Sequence, residues 1–261
     1  MDIGKRDLAA GDIVLGAFRA WFTHFGQIFV ISLLFTIPVF IVNATVLTGL
    51  PEVPDDIDQL EIGDFLIRSL VGTTVSLALG FLLTAALAYA FLKTFRDETV
   101  TPGEAALEVV SRFGAVLVFA LIAGVLTAIG LLILILPGLI AIVVFSLGIP
   151  AILNERIRGT EAVSRCWNLI SGSWGLAIGV VLIGFLINFA VTWLVGGVVS
   201  PGAMRNPTFQ DFDIARTLVQ IAASALVAPL IPGLATALYL QLKGRRDGFP
   251  SIGTSPYQPF E

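Results

Sequence analysis

The chain has 261 residues, of which 56% are hydrophobic and only 13% are charged, and its formal net charge is −4. A soluble domain carries about 25% charged residues, and no soluble fold of this length has enough interior to bury so much apolar surface, so the composition excludes a soluble domain and predicts an integral membrane protein. The single cysteine excludes an intrachain disulfide and a cysteine metal cluster.

The first predicted element is an amphipathic helix from Asp12 to Phe25, ahead of the first long apolar run. Val14, Phe18 and Trp21 recur at helical spacing and place aromatic side chains on one face. A helix with such a face beside a span is typical of the membrane interface. The alternative interpretation is that this segment extends the first span.

Two spans follow in the N-terminal half. The first runs from about Gly26 to Leu47, with Pro38 as an expected kink, and the second runs from about Leu70 to Leu92. Each is close to the length of about 20 apolar residues that one crossing needs. Small residues along the second span favour close packing between helices over a pore lining. These residues are Gly72, Thr73, Thr74, Ser76, Gly80 and Thr84.

An acidic segment without any basic residue, Pro51 to Asp64, separates these two spans. So many carboxylates suggest a calcium site, but the ordered Asp, Asn and Gly spacing of an EF-hand loop is missing. We therefore interpret the segment as a solvated loop, and we predict no metal and no cofactor for the chain. The acidic residues are Glu52, Asp55, Asp56, Asp58, Glu61 and Asp64.

A short helix is predicted after the polar residues that follow the second span. Thr101-Pro102-Gly103-Glu104 indicates a helix start, because proline and an acid are favoured in the first turn. Ala105, Val109 and Phe113 line one face of this helix.

The longest apolar run, Phe113 to Leu153, has no charged side chain and is long enough for two crossings. Pro137-Gly138 divides it, because proline removes a backbone donor and glycine tolerates a turn. We predict a tight hairpin with helices from about Gly114 to Ile135 and from about Leu139 to Leu153. We expect Pro150 to mark the end of the return helix.

A third amphipathic segment is predicted from Glu161 to Trp174, again directly before a span. The interfacial interpretation applies here as it does to the first segment. Its apolar stripe consists of Val163, Cys166, Trp167, Ile170 and Trp174.

Two further spans complete the chain. The fifth runs from about Gly175 to Val199, and the sixth from about Thr217 to Leu240. A polar loop, 200–216, separates them, and residues 249–261 are predicted to form a disordered tail. The sixth span is interrupted by Pro229 and by Pro232-Gly233.

The basic residues predict the orientation. Six spans place both termini on one side, and Lys and Arg are concentrated on the cytoplasmic side of membrane proteins. Twelve bases fall on the side of the termini and three on the other, which predicts cytoplasmic termini. The twelve are Lys5, Arg6, Arg19, Lys93, Arg96, Arg112, Arg156, Arg158, Arg165, Lys243, Arg245 and Arg246, and the three are Arg68, Arg205 and Arg216.

An internal repeat is predicted from residues that recur in phase. Asp12, Phe18 and Phe25-Gly26 match Glu161, Trp167 and Trp174-Gly175, and Tyr89, Lys93, Arg96 and Asp97 match Tyr239, Lys243, Arg246 and Asp247. Glu104-Ala105 and Phe113-Gly114 begin a weaker middle copy. We predict one all-α membrane domain, 1–248, with six transmembrane helices in three parallel hairpin units, each preceded by an interfacial helix. The units are about 11–98, 102–158 and 159–248.

Four motifs in the C-terminal half resemble a known family. They are Leu136-Pro137-Gly138, Ile149-Pro150-Ala151, Glu161-Ala162 with Trp167 and Trp174, and the ending Leu238-Tyr239 to Arg246-Asp247-Gly248-Phe249. The chain resembles the bacterial membrane domain attached to some glycerophosphoryl diester phosphodiesterases, a family that includes free-standing, uncharacterised six-span proteins. The resemblance implies a multi-pass domain of unassigned role in the bacterial plasma (inner) membrane. The phosphodiesterase activity belongs to a separate soluble domain and is not implied here.

Residues that could carry chemistry are scarce. His24 is the only imidazole and has apolar or neutral neighbours, and Cys166 lies on an apolar stripe. No Walker A loop, Rossmann fingerprint or His-Glu-x-x-His motif is present. We therefore predict a protein that is not an enzyme and does not bind nucleic acid.

The predicted function is a membrane module that binds or organises lipids or partner proteins. Interfacial helices and basic residues on one side attract anionic headgroups, although the same bases could merely set the topology. The candidate headgroup or partner contacts are Lys93, Arg96, Arg156, Arg158, Arg165, Lys243, Arg245 and Arg246, and the candidate interfacial anchors are Phe18, Trp21, Trp167 and Trp174.

The alternative function is a transporter of small solutes or lipids. The proline-broken sixth span favours it, because broken helices build binding sites in transporters. Asn43 and Asn188 are the candidate intramembrane polar residues, although such side chains more often bond between helices.

Overall fold

The computed structural model describes the backbone of residues 8–48, 62–199 and 214–248, with side chains placed in 8–43, 70–194 and 218–248. Within these ranges all regular secondary structure is α-helical. The helices described are α1 Ala10–Thr23, α2 Phe25–Thr48, α3 Ile62–Thr94, α4 Pro102–Ile133, α5 Ile135–Phe145, α6 Gly148–Glu155, α7 Gly159–Ile170, α8 Trp174–Val199, α9 Ile214–Val227 and α10 Leu230–Asp247.

Six segments are long and apolar enough to cross a membrane, which confirms the prediction of an all-α, multi-pass membrane protein. Residues 51–61 of the acidic segment, 200–213 of the polar loop and the predicted tail lie outside the described ranges. The six segments are Phe25–Asn43, Leu70–Thr94, Pro102–Ile133, Ile135–Glu155, Trp174–Leu194 and Leu218–Asp247.

α1 packs into the bundle through small and aliphatic residues. Ile13, Ala17 and Ala20 are buried, and the helix contacts α8 and α10. The predicted aromatic stripe divides, because Trp21 is buried whereas Phe18 is only half-buried. Small side chains let neighbouring helices approach closely, so shape selects the buried face here more than aromatic character does.

α4 begins where the sequence predicts but does not end as a short helix. The Thr101 hydroxyl accepts a hydrogen bond from the Glu104 N–H at 3.3 Å, and the Glu104 carboxylate accepts one from the Thr101 N–H at 3.0 Å. The helix then continues to Ile133 without a break, so the prediction of a separate short helix is wrong. A helix end leaves carbonyls without partners, which is costly beside lipid, and continuing the helix avoids that cost.

Several prolines lie in the first turn of a helix, whereas Pro38 lies in the interior of α2. Pro137, Pro150 and Pro232 are each the third residue of a helix, namely α5, α6 and α10. The first N–H groups of a helix have no intrahelical partner, so a proline there costs no hydrogen bond. The predicted break of the sixth span is thereby confirmed, since α9 ends at Val227 and α10 begins at Leu230.

Two predictions about the central hairpin are wrong, because its prolines lie in the first turns of helices. The chain turns at Leu134, where the backbone is extended, and not at Pro137-Gly138. The return helix does not end at Pro150, since α6 extends to Glu155 after a short interruption following Phe145. Both prolines that were expected to stop a helix lie within first turns.

Gly138 serves close packing instead of a turn. A methyl group on Gly138 would lie 2.3 Å from Cγ of Leu131, and one on Gly130 would lie 2.9 Å from the backbone nitrogen of Gly138. Contacts this short are not tolerated, so glycine lets α4 and α5 touch along the hairpin.

The centre of the bundle is formed by α3, α6 and α10, which contact one another pairwise. They bury Phe91, Ile152 and Leu238 among them. Around this centre α1 contacts α10, α4 contacts α3, and α7 contacts α6. We call one end of the bundle, where α3, α6 and α10 terminate and where α4 and α7 begin, the charged end.

Candidate functional site at the charged end of the bundle

A half-buried carboxylate, Glu155, lies at the centre of the charged end. Nε and Nη2 of Arg165 donate to its two oxygens at 2.8 and 2.9 Å, which is a bidentate ion pair. The Tyr239 hydroxyl donates to Oε1 at 2.7 Å, and Nζ of Lys243 lies 3.5 Å from the same oxygen. Glu155 therefore joins the end of α6 to α7 and α10.

Hydrogen bonds extend this cluster in both directions. The Asn154 amide donates to the Tyr239 hydroxyl at 2.8 Å, and Arg96, after the end of α3, donates to the side-chain oxygen Oδ1 of Asn154. On the other side Arg165 also pairs with Asp247 at the end of α10. We call these residues the charge network: Arg96, Asn154, Glu155, Arg165, Tyr239, Lys243 and Asp247.

The centre of the charge network, formed by Glu155, Arg165 and Tyr239, has its hydrogen-bonding groups occupied. Both oxygens of Glu155 carry charged or hydroxyl donors, and Tyr239 is fully buried while it both donates and accepts. The hydrogen bond to Glu155 raises the pKa of Arg165 above its ordinary value, so the guanidinium stays charged. These three residues therefore join α6, α7 and α10.

Cys166 is unsuited to chemistry. Its thiol is buried on α7, and burial raises its pKa to about 12. Because the thiolate is the reactive form, this thiol is inert near neutral pH. The predicted packing role agrees with its complete burial.

The predicted basic contacts divide into two classes. Lys93 pairs with Glu98, Arg245 donates to the Leu8 carbonyl at 3.1 Å, and three others belong to the charge network. The remaining side chains are exposed and form no ion pair with any residue the structure describes. They are Arg156, Arg158 and Arg246.

The predicted aromatic anchors also separate. Trp167 is 56% exposed on α7 and meets Trp174 edge-on, with ring centroids 5.6 Å apart. Trp21 and Phe18 instead line a small crevice against Leu230 of α10. Trp167 is thus exposed and Trp174 is half-buried, whereas Trp21 packs inside the bundle.

The predicted intramembrane polar residues have different surroundings. Asn43 donates to the Val39 carbonyl at 2.9 Å and accepts from the Ser76 hydroxyl at 3.0 Å, which links α2 to α3. Asn188 is half-buried on α8 and makes no side-chain bond with a described residue. Sequence reasoning missed Ser32, whose buried hydroxyl donates to the Ala225 carbonyl at 2.7 Å beside the break after α9.

Most of the acceptors in the charge network were also missed. Tyr239 and Asp247 are part of the sequence repeat, and Glu155 is the first acid after the long apolar run. That pattern could have identified them. Among the residues that the structure describes, no group of three His, Cys, Asp or Glu side chains is placed to hold a metal ion.

Comparison of the chain with protein-family models, with curated proteins and with solved structures finds no match. The resemblance to the membrane-domain family therefore stays a prediction, and a proposal about function has to rest on the geometry of the charged end.

Proposed function

We propose that the protein is a non-enzymatic membrane module that binds lipids or a partner protein at the charged end. One observation carries the proposal: the charge network is closed, whereas Arg156, Arg158 and Arg246 beside it are exposed and have no ion-pair partner among the described residues. A closed network favours a rigid scaffold over catalysis. Exposed guanidinium groups are suited to phosphate and carboxylate groups of another molecule.

Three parallel units form this module in our proposal. Each unit begins with a helix whose third residue is an acid that accepts the N–H of the capping residue. The bonds are Asp12 to Ala9 at 3.3 Å, Glu104 to Thr101 at 3.0 Å, and Glu161 to Arg158 at 3.0 Å. The residue after each acid, Ile13, Ala105 or Ala162, is fully buried.

The order of packing supports the same arrangement. α1 of the first unit contacts α10 of the third, α4 of the second contacts α3 of the first, and α7 of the third contacts α6 of the second. Each unit therefore packs its first helix on the last helix of the preceding unit. Such a cyclic order is expected of parallel repeats around an axis along the membrane normal.

The charged end faces the cytoplasm in this proposal, in a bacterial plasma membrane. The excess of Lys and Arg on the side of the termini supports that orientation. The interfacial role of α1 and α7 is also part of the proposal, and the exposure of Trp167 on α7 supports it.

Native mass spectrometry of the protein, extracted gently from its own membrane, tests the proposed function. We expect a specific lipid or a stoichiometric protein to remain bound. A protein that emerges bare under conditions that preserve bound lipid on a control membrane protein contradicts the proposal.

The break between α9 and α10 favours a transporter as the second candidate. Pro232 has no N–H, so the Ala228 carbonyl lacks its usual helical donor, and transporters coordinate substrates at such groups. If transport occurs, alanine at Asn188 abolishes a flux measured in liposomes and leaves the fold intact. An unchanged flux contradicts a role for Asn188, and the absence of flux in the wild-type protein contradicts this candidate.

A further inference from the structure

We infer that the loop Arg156–Arg158 and the neighbouring Arg112 form a site for the phosphate of an anionic phospholipid. This inference rests on the proposed function and names its ligand. Five of the predicted basic contacts already have a partner within the chain, namely Lys93, Arg96, Arg165, Lys243 and Arg245. The loop between α6 and α7 keeps two arginines whose guanidinium groups pair with no described acid.

Contacts on both sides hold the backbone of this loop. Nη1 of Arg112 donates to the Arg156 carbonyl at 3.5 Å, and the Arg158 N–H donates to the Glu161 carboxylate at 3.0 Å. A methyl group on Gly159 would lie 2.3 Å from the Ala115 carbonyl oxygen, so the start of α7 is pressed against α4. A loop fixed in this way loses little conformational entropy when a ligand binds.

The donors of the loop match a phosphate group. Arg156 has a left-handed backbone, φ 55°, after the helical Glu155, and successive N–H groups in that geometry form a concave anion site. The N–H groups of Arg156 and Ile157 make no hydrogen bond with a carbonyl of the described residues. The guanidinium groups of Arg156 and Arg158 add forked donors that bind phosphate oxygens in pairs.

Nearby acidic side chains neutralise only part of the positive charge of the loop. Glu155 is neutralised by Arg165 and Lys243, and Glu108 lies 3.7 Å from Arg112. Glu161 caps α7 and lies beside the backbone of Arg158. The loop therefore keeps a local positive charge, although the whole chain is acidic.

The position of the loop indicates that the phosphate belongs to a lipid. The loop follows directly after Ile135–Glu155, a segment long and apolar enough to cross a membrane. Basic residues next to the end of such a segment lie near the lipid headgroups and attract their phosphates. Trp167, on the helix that follows the loop, is exposed as interfacial anchors are.

The test compares lipid retention by the full chain in nanodiscs of phosphatidylglycerol mixed with phosphatidylcholine, read by native mass spectrometry. The variant is Arg156→Gln with Arg158→Gln. The matched control is Arg19→Gln, which removes one exposed charge from α1. Each arginine near an anionic lipid contributes about 1 kcal/mol, so we expect the loop variant to lose phosphatidylglycerol affinity by roughly 30-fold.

The outcomes separate this inference from the proposed function. A loss for Arg19→Gln as large as the loss per arginine in the loop variant means that general charge attracts the lipid, which overturns the site. Retention of phosphatidylglycerol that is unchanged in the loop variant also overturns the site but leaves the module intact. Displacement of the lipid by inorganic phosphate at millimolar concentration assigns the site to a soluble anion and overturns the lipid as its ligand.

Discussion

Replacement of Glu155 by glutamine tests the charge network most sharply. Glutamine keeps the size of the side chain and removes the negative charge that Arg165 and Lys243 face. The side chains of Glu155 and Arg165 are only 15% and 24% exposed. Removing one partner of a buried pair costs about 3–5 kcal/mol, and an exposed pair is worth about 0.2–1 kcal/mol. Because this pair is partly exposed, we expect a loss of about 2–3 kcal/mol.

The free energy of unfolding in mixed micelles, measured by titration with SDS, is the assay. Glu98→Gln is the matched control, since its pair with Lys93 is 44% exposed on the acid side, and we expect it to cost less than about 1 kcal/mol. A double-mutant cycle of Glu155→Gln with Arg165→Gln isolates the pair, and we expect a coupling above about 1 kcal/mol. Equal, small losses for Glu155→Gln and Glu98→Gln refute the reasoning.

Three further predictions concern packing, a buried hydroxyl and the thiol. Gly159→Ala places a methyl group 2.3 Å from the Ala115 carbonyl oxygen, so we expect the free energy of unfolding in the same titration to fall by about 1–3 kcal/mol. The control Gly124→Ala has nothing within 4 Å of the added methyl group, and we expect it to change that free energy by less than about 0.5 kcal/mol. Equal effects of the two variants contradict the close packing at Gly159. Ser32→Ala removes the donor to Ala225 and is expected to cost about 1 kcal/mol; a neutral result in the titration contradicts its role. Burial raises the pKa of Cys166 to about 12, so the reactive thiolate is disfavoured at all lower pH values. We expect the folded protein at pH 8 to react with iodoacetamide at least about 1000-fold more slowly than the SDS-unfolded chain. Similar rates contradict the burial of this thiol.

The number and type of elements could be predicted from the sequence because the bilayer dictates them. A crossing needs a fixed length of apolar residues, and every backbone donor beside lipid must be satisfied within a helix. The six spans and the break of the sixth were predicted correctly on that basis. The cap of α4 was predictable as well, since Thr101 and Glu104 have the spacing of a capping box.

The turn of the central hairpin could not be predicted from the sequence, because proline has opposite effects at different positions of a helix. It stops a helix from its interior but is tolerated in the first turn. Pro137 and Pro150 were interpreted as stops, whereas both lie in first turns. The role of Gly138 depends on Leu131 of the opposite arm, and periodicity along one segment does not reveal that contact.

Which arginines are paired also depends on tertiary contacts. Arg165 and Arg158 look alike in the sequence, but Arg165 faces Glu155 and Asp247 from other helices while Arg158 faces solvent. The count of basic residues therefore predicts an orientation and cannot select a binding site. The contacts of Glu155 are what separate Arg165 and Lys243 from the exposed arginines of the neighbouring loop.

Hydrogen–deuterium exchange of the full chain in nanodiscs tests most directly whether the charged end is the binding surface. The amides of Arg156 and Ile157 have no described carbonyl acceptor, so they are expected to exchange rapidly in phosphatidylcholine alone. We expect slower exchange across residues 156–158 when phosphatidylglycerol is present, with no change at His24 between α1 and α2. Exchange that is identical in the two lipids, in a protein also free of bound partners, contradicts a binding surface at the charged end.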